Sequence, residues 1–241
     1  MDPPQIQLAG ICSLAAAERS DKLIPMKLGI NTFLWSAEFT EAQLPLLPKI
    51  KQAGFDGIEV AIFDPARFQA PLIRQALKDE GLECTIVSVL PRELSLIDEN
   101  DVARKSTLDH MTPTEWRNAV ESYQELGPVL AEHEVTLAVE PLNRFETFFL
   151  NTADDAALLM QSVNHPNVGI LFDTFHANIK EKSIADGYRK VGPWLKHVHT
   201  CENDRGIPGS GHVDWSGVFQ ALHDVRYDGW LTIEGFGFAL P

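Results

Sequence analysis

Hydrophobic and polar residues alternate in two rhythms along this chain. Short β-rich apolar runs occur at LGINTFL (28–34), GIEVAI (57–62), CTIVSV (84–89), VTLAVE (135–140), VGILFD (168–173), LKHVHT (195–200) and WLTIEG (230–235). Each is short enough for a strand and rich in branched residues. Between them lie amphipathic stretches with helical spacing, such as 40–54 and 112–134. Pro113, Thr114 and Glu115 mark a helix start. GFDG (54–57) and YDGW (227–230) occupy helix-to-strand turns, where glycine is expected to supply positive φ.

Strand and helix in one repeating order mean parallel strands joined by helical crossovers. Strand starts recur at the roughly 30-residue spacing of such units. The stretch from Cys84 to Val135 departs from it, being nearly two units long with one full helix. Its residues 91–113 are polar and broken by proline, so they predict a loop or short helix where a further strand would sit. An open doubly wound sheet usually carries a glycine-rich loop after its first strand. Here that position reads WSAEFTE. The expected fold is α/β, a (β/α)8 TIM-barrel-like arrangement that is incomplete, with the fourth-strand region and the last helix missing.

Active sites of such barrels lie at the C-terminal ends of the strands. Side chains alternate along a strand, so Glu140 shares a face with Thr136 and Ala138. By the same count Asp173 joins Gly169 and Leu171, His199 joins Leu195 and His197, and Glu234 joins Trp230 and Thr232. Four successive strands each end in a metal-type ligand on the inner face. Any one of these acids alone is explained as a helix cap; four together are not. Crowded carboxylates need a compensating charge, and an oxygen-rich set with one imidazole suits Mn²⁺, Mg²⁺ or Co²⁺ better than zinc. His197, one layer deeper, is expected to be a packed histidine. Asn143, Arg144, Glu146, His176, Glu202 and Arg205 fall in the loops just beyond these ends. They are hydrogen-bonding types suited to a hydroxylated ligand, or else a solvated loop surface.

Composition narrows the partners. The chain has 241 residues, with 34 acidic and 20 basic residues and a net charge of −14. That balance argues against nucleic acid. No apolar run approaches membrane-spanning length. Three scattered cysteines, Cys12, Cys84 and Cys201, indicate reduced, cytoplasmic usage. Leu8–Ala17 is a short apolar run, but the residues before it carry an acid and no base, unlike a secretory leader. Residues 1–25 are expected to be a poorly ordered extension, and 26–241 a single TIM-barrel-like catalytic domain, with Met26 a natural start.

AVEPLNRFETFFLNT, ILFDTFHANIKEKS, KHVHTCENDRGIPGSGHVDW and GWLTIEGF, with GINTFLWSAEFT and GFDGIEV earlier, resemble the D-tagatose 3-epimerase and D-psicose (allulose) 3-epimerase family. That family lies within the xylose-isomerase-like barrel group. The resemblance spans roughly residues 27–90 and 112–238. It implies metal ligands at Glu140, Asp173, His199 and Glu234, the four chosen above from strand faces, and Mn²⁺ as the usual ion, with Co²⁺ or Mg²⁺ often accepted. It implies substrate contacts from Glu146, His176 and Arg205. Two departures stand out. A third helix and fourth strand are missing near 109–111, and no eighth helix follows the last strand. The expected activity is inversion of C3 of a free ketose through an enediolate, with Glu140 and Glu234 as the two proton-carrying carboxylates. The alternatives are an aldose–ketose isomerase of the same group and a truncated, non-catalytic barrel that binds sugar or metal. An endonuclease of the group is disfavoured by eight histidines and the acidic charge. The expected partner is a small sugar, with no nucleic acid and no membrane; a homo-oligomer is left open.

Overall fold

The computed structural model describes residues 26–89 and 112–236. Seven parallel strands lie within them: β1 (Lys27–Asn31), β2 (Gly57–Ala61), β3 (Glu83–Val87), β4 (Leu137–Val139), β5 (Val168–Asp173), β6 (Leu195–Thr200) and β7 (Trp230–Ile233). The expectations for 1–25 and for 91–111 fall outside the described residues. Two compact units divide the chain: Met1–Ser88, Thr200–His212 and Trp230–Pro241 form one, Val89–His199 and Val213–Gly229 the other.

In the first unit the strand order is β3-β2-β1-β7, all parallel. Helices α1 (Leu47–Gln52) and α2 (Ala70–Glu80) cross between β1, β2 and β3. Leu47 and Ile50 of α1 and Ile73 and Leu77 of α2, one helical turn apart, pack with Ile30, Ile58, Val60 and Ile233 of the strands. Burying each such side chain contributes about 1.5–3 kcal/mol. The helix expected over 40–54 forms in two parts. Glu41–Leu46 is a 3₁₀ turn with Thr40 as its cap, and the α-helix begins at Leu47 with Pro48 in its first turn. Two prolines remove the amides a continuous helix would need. Gly54 has φ 92°, as GFDG predicted, and Asp56 closes the turn by accepting from Leu28 N at 2.9 Å.

In the second unit β4, β5 and β6 pair in that order. Helices α3 (Pro113–Glu132), α4 (Ala153–Val163), α5 (Thr174–Lys180), α6 (Ile184–Val191) and α7 (Trp215–Asp224) accompany them. Helix α3 starts at Pro113, as expected, with Thr112 as its cap: Thr112 Oγ1 accepts from Glu115 N while the Glu115 carboxylate takes the Thr112 amide, a reciprocal capping box. At the YDGW turn the left-handed residue is Arg226, just before the motif, with φ 56°, not Gly229. Gly229 lies beneath the Tyr227 ring, whose hydroxyl oxygen would be 2.5 Å from any Cβ there. Phe172 meets the Tyr188 ring of α6 edge-on, centroids 4.9 Å apart. That fixes one face of β5 toward the helix and leaves Leu171 and Asp173 on the other, as alternation predicts.

Candidate metal and sugar site

The ends of β4, β5 and β6 build a cluster of acids and imidazoles. Between Ile170 and Leu171 the register of β5 on β6 shifts by one residue. Ile170 lies opposite Leu195, but Leu171 lies opposite His197 and Asp173 opposite His199. A one-residue slip exchanges the faces of a strand. Here it sets Asp173 and His199 side by side at the strand ends. Both are fully buried. The His197 and His199 rings stand edge to face at 5.2 Å on one side of β6. Glu140 lies one residue past β4, its Oε1 4.0 Å from His199 Nδ1.

Asp173 has two duties. Its Oδ1 accepts from Phe175 N at 3.0 Å and caps α5, as a strand-end acid commonly does. Its Oδ2 points elsewhere, to within 3.7 Å of His176 Nε2. Glu140 Oε1 is 3.6 Å from the same nitrogen. One ligand-type atom each from Glu140, Asp173 and His176 lies within 4.8 Å of the other two.

The hydrogen bonds around His176 decide its part. The main-chain amide of Asn143 donates to His176 Nδ1 at 3.0 Å. An amide can only donate, so Nδ1 is bare and the neutral ring carries its proton on Nε2. The Asn143 side chain agrees. Its Oδ1 accepts from Phe145 N at 2.9 Å, which turns Nδ2 toward Glu146 Oε1 at 2.8 Å and His176 Nδ1 at 2.9 Å. His176 Nε2 is therefore a donor, unfit to ligate a cation. It suits an oxygen of a hydroxylated ligand, the role the resemblance implied. Glu146 reaches the ring through Asn143, whose placing role the sequence reading missed.

In the first unit Glu234, just past β7, receives Arg205 Nη1 on Oε2 at 2.7 Å. The guanidinium also lies over the Phe236 ring, 4.5 Å from its centroid. A second acid, unremarked from sequence, sits deeper. Glu59 on β2 accepts from Asn31 on β1 at 2.9 Å and from Thr85 on β3 at 3.0 Å. The register places these three residues in one row across the strands. The signal was legible: a single acid inside the apolar run GIEVAI.

The donor set fits a divalent cation. Ligand atoms about 2.0–2.3 Å from one ion stand about 3–4 Å from one another, the scale seen between Glu140 and His199.

The family model described as Xylose isomerase-like TIM barrel matches residues 112–239, more than half of this chain. The chain belongs to that family. Its barrel-type fold, expected from the strand–helix rhythm, is thereby borne out. This TIM-barrel family member is 30% identical to a probable ketose 3-epimerase from Synechocystis sp., over 88% of this chain and 85% of the relative. It is 29% identical to a D-psicose 3-epimerase from Agrobacterium fabrum, with the same shares covered. A crystal structure of D-allulose 3-epimerase from Methylomonas sp. superposes with a TM-score of 0.79 at 27% identity, covering 88% of this chain and 85% of that one. The D-psicose 3-epimerase from Clostridium cellulolyticum, solved with D-tagatose, gives 0.78 at 27% identity, covering 89% and 88%. The chain is an enzyme of the epimerase/isomerase type, and epimerases of this family use a divalent metal. Among the described residues no helix is long and apolar enough to cross a membrane.

Proposed function

We propose that this chain is a divalent-metal-dependent ketose 3-epimerase acting on a free sugar in the cytoplasm. The observation that supports it most is the pairing of Asp173 with His199 beside Glu140, with the His176 Nε2–H aimed at the same place. Glu140, Asp173, His199 and Glu234 are the residues that would hold the ion, with Mn²⁺ preferred. When bound, the cation supplies Lewis acidity that polarises the ketose carbonyl and acidifies the neighbouring C–H.

The chain's own groups carry the proton. One carboxylate, Glu140 or Glu234, removes the proton from C3; the C–H electron pair moves into the C2–C3 bond and the carbonyl oxygen, giving an enediolate. The other carboxylate returns a proton to the opposite face of C3. Two acids are needed because a single base on one face restores the starting configuration. His176 donates Nε2–H, and Arg205 its guanidinium, to the oxygens where negative charge develops. Glu146, through Asn143, holds the ring of His176 in the donating tautomer and lines the sugar site.

Protein reconstituted with Mn²⁺ is incubated with D-fructose, D-tagatose and L-ribulose, and products are separated by chromatography. The proposal expects the C3 epimer of at least one. Aldose products alone would reassign the enzyme to C1–C2 isomerisation. No turnover of any of the three, with metal bound, would reject the proposal.

A further inference from the structure

The loop between β6 and α7, residues 201–214, is polar and rich in glycine, and from sequence it reads as a solvated pocket rim. Glu202 contradicts that: it is 0% exposed. Its main-chain amide donates to Gly206 O at 3.0 Å, and its carbonyl accepts from Arg205 N at 3.1 Å. The turn so closed holds Arg205 at φ 63°, a left-handed conformation that costs a side-chain-bearing residue about 1 kcal/mol or more. The Glu202 side chain then reaches across the loop, and its Oε1 accepts from Gly209 N at 2.7 Å. Gly209 has φ 91°, and a Cβ on Gly211 would come within 2.5 Å of Glu202 Oε2. The glycines of R-G-I-P-G-S-G are thus the residues that let an exposed backbone close over one buried carboxylate. Asn203 ties down the far end by accepting from His212 N at 3.2 Å. What this knot presents is Arg205, whose carbonyl accepts from Phe236 N and whose guanidinium meets Glu234.

We propose that Glu202 is a positioning residue: its buried carboxylate is the hub that locks the loop and holds Arg205 in its left-handed conformation against Glu234. A buried carboxylate that accepts from a main-chain amide is a strong, charge-assisted anchor. Removing it takes away the side-chain anchor of the turn that holds a conformation arginine disfavours, so the loop loosens and the aim of the guanidinium is degraded. The catalytic half of this inference rests on the proposed epimerase function; the structural half does not.

The experiment separates the two. In Glu202→Ala, the Gly209 amide should exchange with deuterium faster, and trypsin should cut early after Arg205, a bond the wild-type loop protects; both are read by mass spectrometry at temperatures where circular dichroism shows the fold intact. Glu202→Gln retains an acceptor for Gly209 N and should restore most of the protection. Gly211→Ala, which crowds the same carboxylate, should loosen the loop even if Glu202→Ala fails to fold. Turnover of the best ketose should fall about 10²-fold in Glu202→Ala, the scale of a displaced catalytic group, in kcat more than in Mn²⁺ affinity. Adding Glu202→Ala to Arg205→Ala should cost nothing further, because both act through one guanidinium. A folded Glu202→Ala with unchanged exchange and trypsin resistance overturns the proposal, as do strictly additive losses in the double variant. If wild type turns over no ketose, the epimerase reading fails while the exchange and cleavage results still stand or fall alone.

Discussion

Two acid-bearing regions of this enzyme are built on opposite plans. At the end of β7 the carboxylate of Glu234 meets a guanidinium at 2.7 Å, a closed, charge-assisted contact. At the ends of β4, β5 and β6, Glu140 and Asp173 meet imidazole nitrogens at 3.6–4.0 Å, too far for a hydrogen bond. In the first region the protein supplies the compensating charge from its own sequence. In the second, Glu140 and His199, at the ends of β4 and β6, hold ligand-type atoms 4.0 Å apart, the scale that ligands adopt around an ion, while His176 Nε2 stands 3.6–3.7 Å from Glu140 and Asp173 as a donor. A strand-end acid can thus be compensated by an arginine of the chain or set among neighbours at ligand spacing, and Glu234 is proposed to serve both plans.

The largest effect should come from the residue proposed to serve both plans. Glu234→Gln removes a proton carrier and weakens a ligand, so C3 inversion should fall by about 10²–10⁴-fold. In deuterated water the surviving carboxylate should still exchange the C3 hydrogen with configuration retained, which NMR resolves. Full epimerase activity in that variant, with metal bound, rules the two-base scheme out.

Next is the open cluster itself. Asp173→Asn keeps an oxygen to cap α5 but discards the charge on Oδ2. Calorimetric titration should show Mn²⁺ affinity reduced by at least the 10–100-fold seen when a metal site's supporting carboxylates are removed, with the melting temperature of the metal-free protein little changed. If affinity is unaltered, Asp173 is a cap and nothing more.

The closed contact is probed by Arg205→Ala. Metal binding, followed by the same titration, should persist, while kcat/KM falls by roughly 10²–10³-fold, the effect of losing a donor aimed at developing charge. A loss of metal without a loss in metal-saturated turnover would reverse the assignment.

The smallest effect belongs outside both regions. Thr112→Ala breaks the capping box of α3 and should cost about 1 kcal/mol in urea unfolding, with kcat/KM unmoved.

Much of this enzyme was readable without coordinates. Seven strands begin within two residues of their expected starts because branched apolar runs suit buried parallel strands, whatever surrounds them. The strand-face count put Asp173 and His199 on the inner face because side-chain alternation is a local property of an extended backbone. Other features were set by tertiary structure. That Asp173 lies opposite His199 depends on a register shift between strands whose starting points are 27 residues apart, which no local rule sets, since pairing is a contact between distant segments. That His176 Nδ1 accepts and leaves Nε2 as the donor depends on Asn143, 33 positions away in sequence, bringing an amide to its ring. Glu202 read as a solvated loop residue because composition reports polarity and not depth; only the closure of the chain over it, at Gly209 and Gly211, made it a buried anchor. Sequence determined which residues alternate, cap and turn, because those are properties of neighbours. Three-dimensional packing decided which acids gather beside imidazoles, which meet an arginine and which are sealed away, because desolvation and distance arise only where remote segments come together.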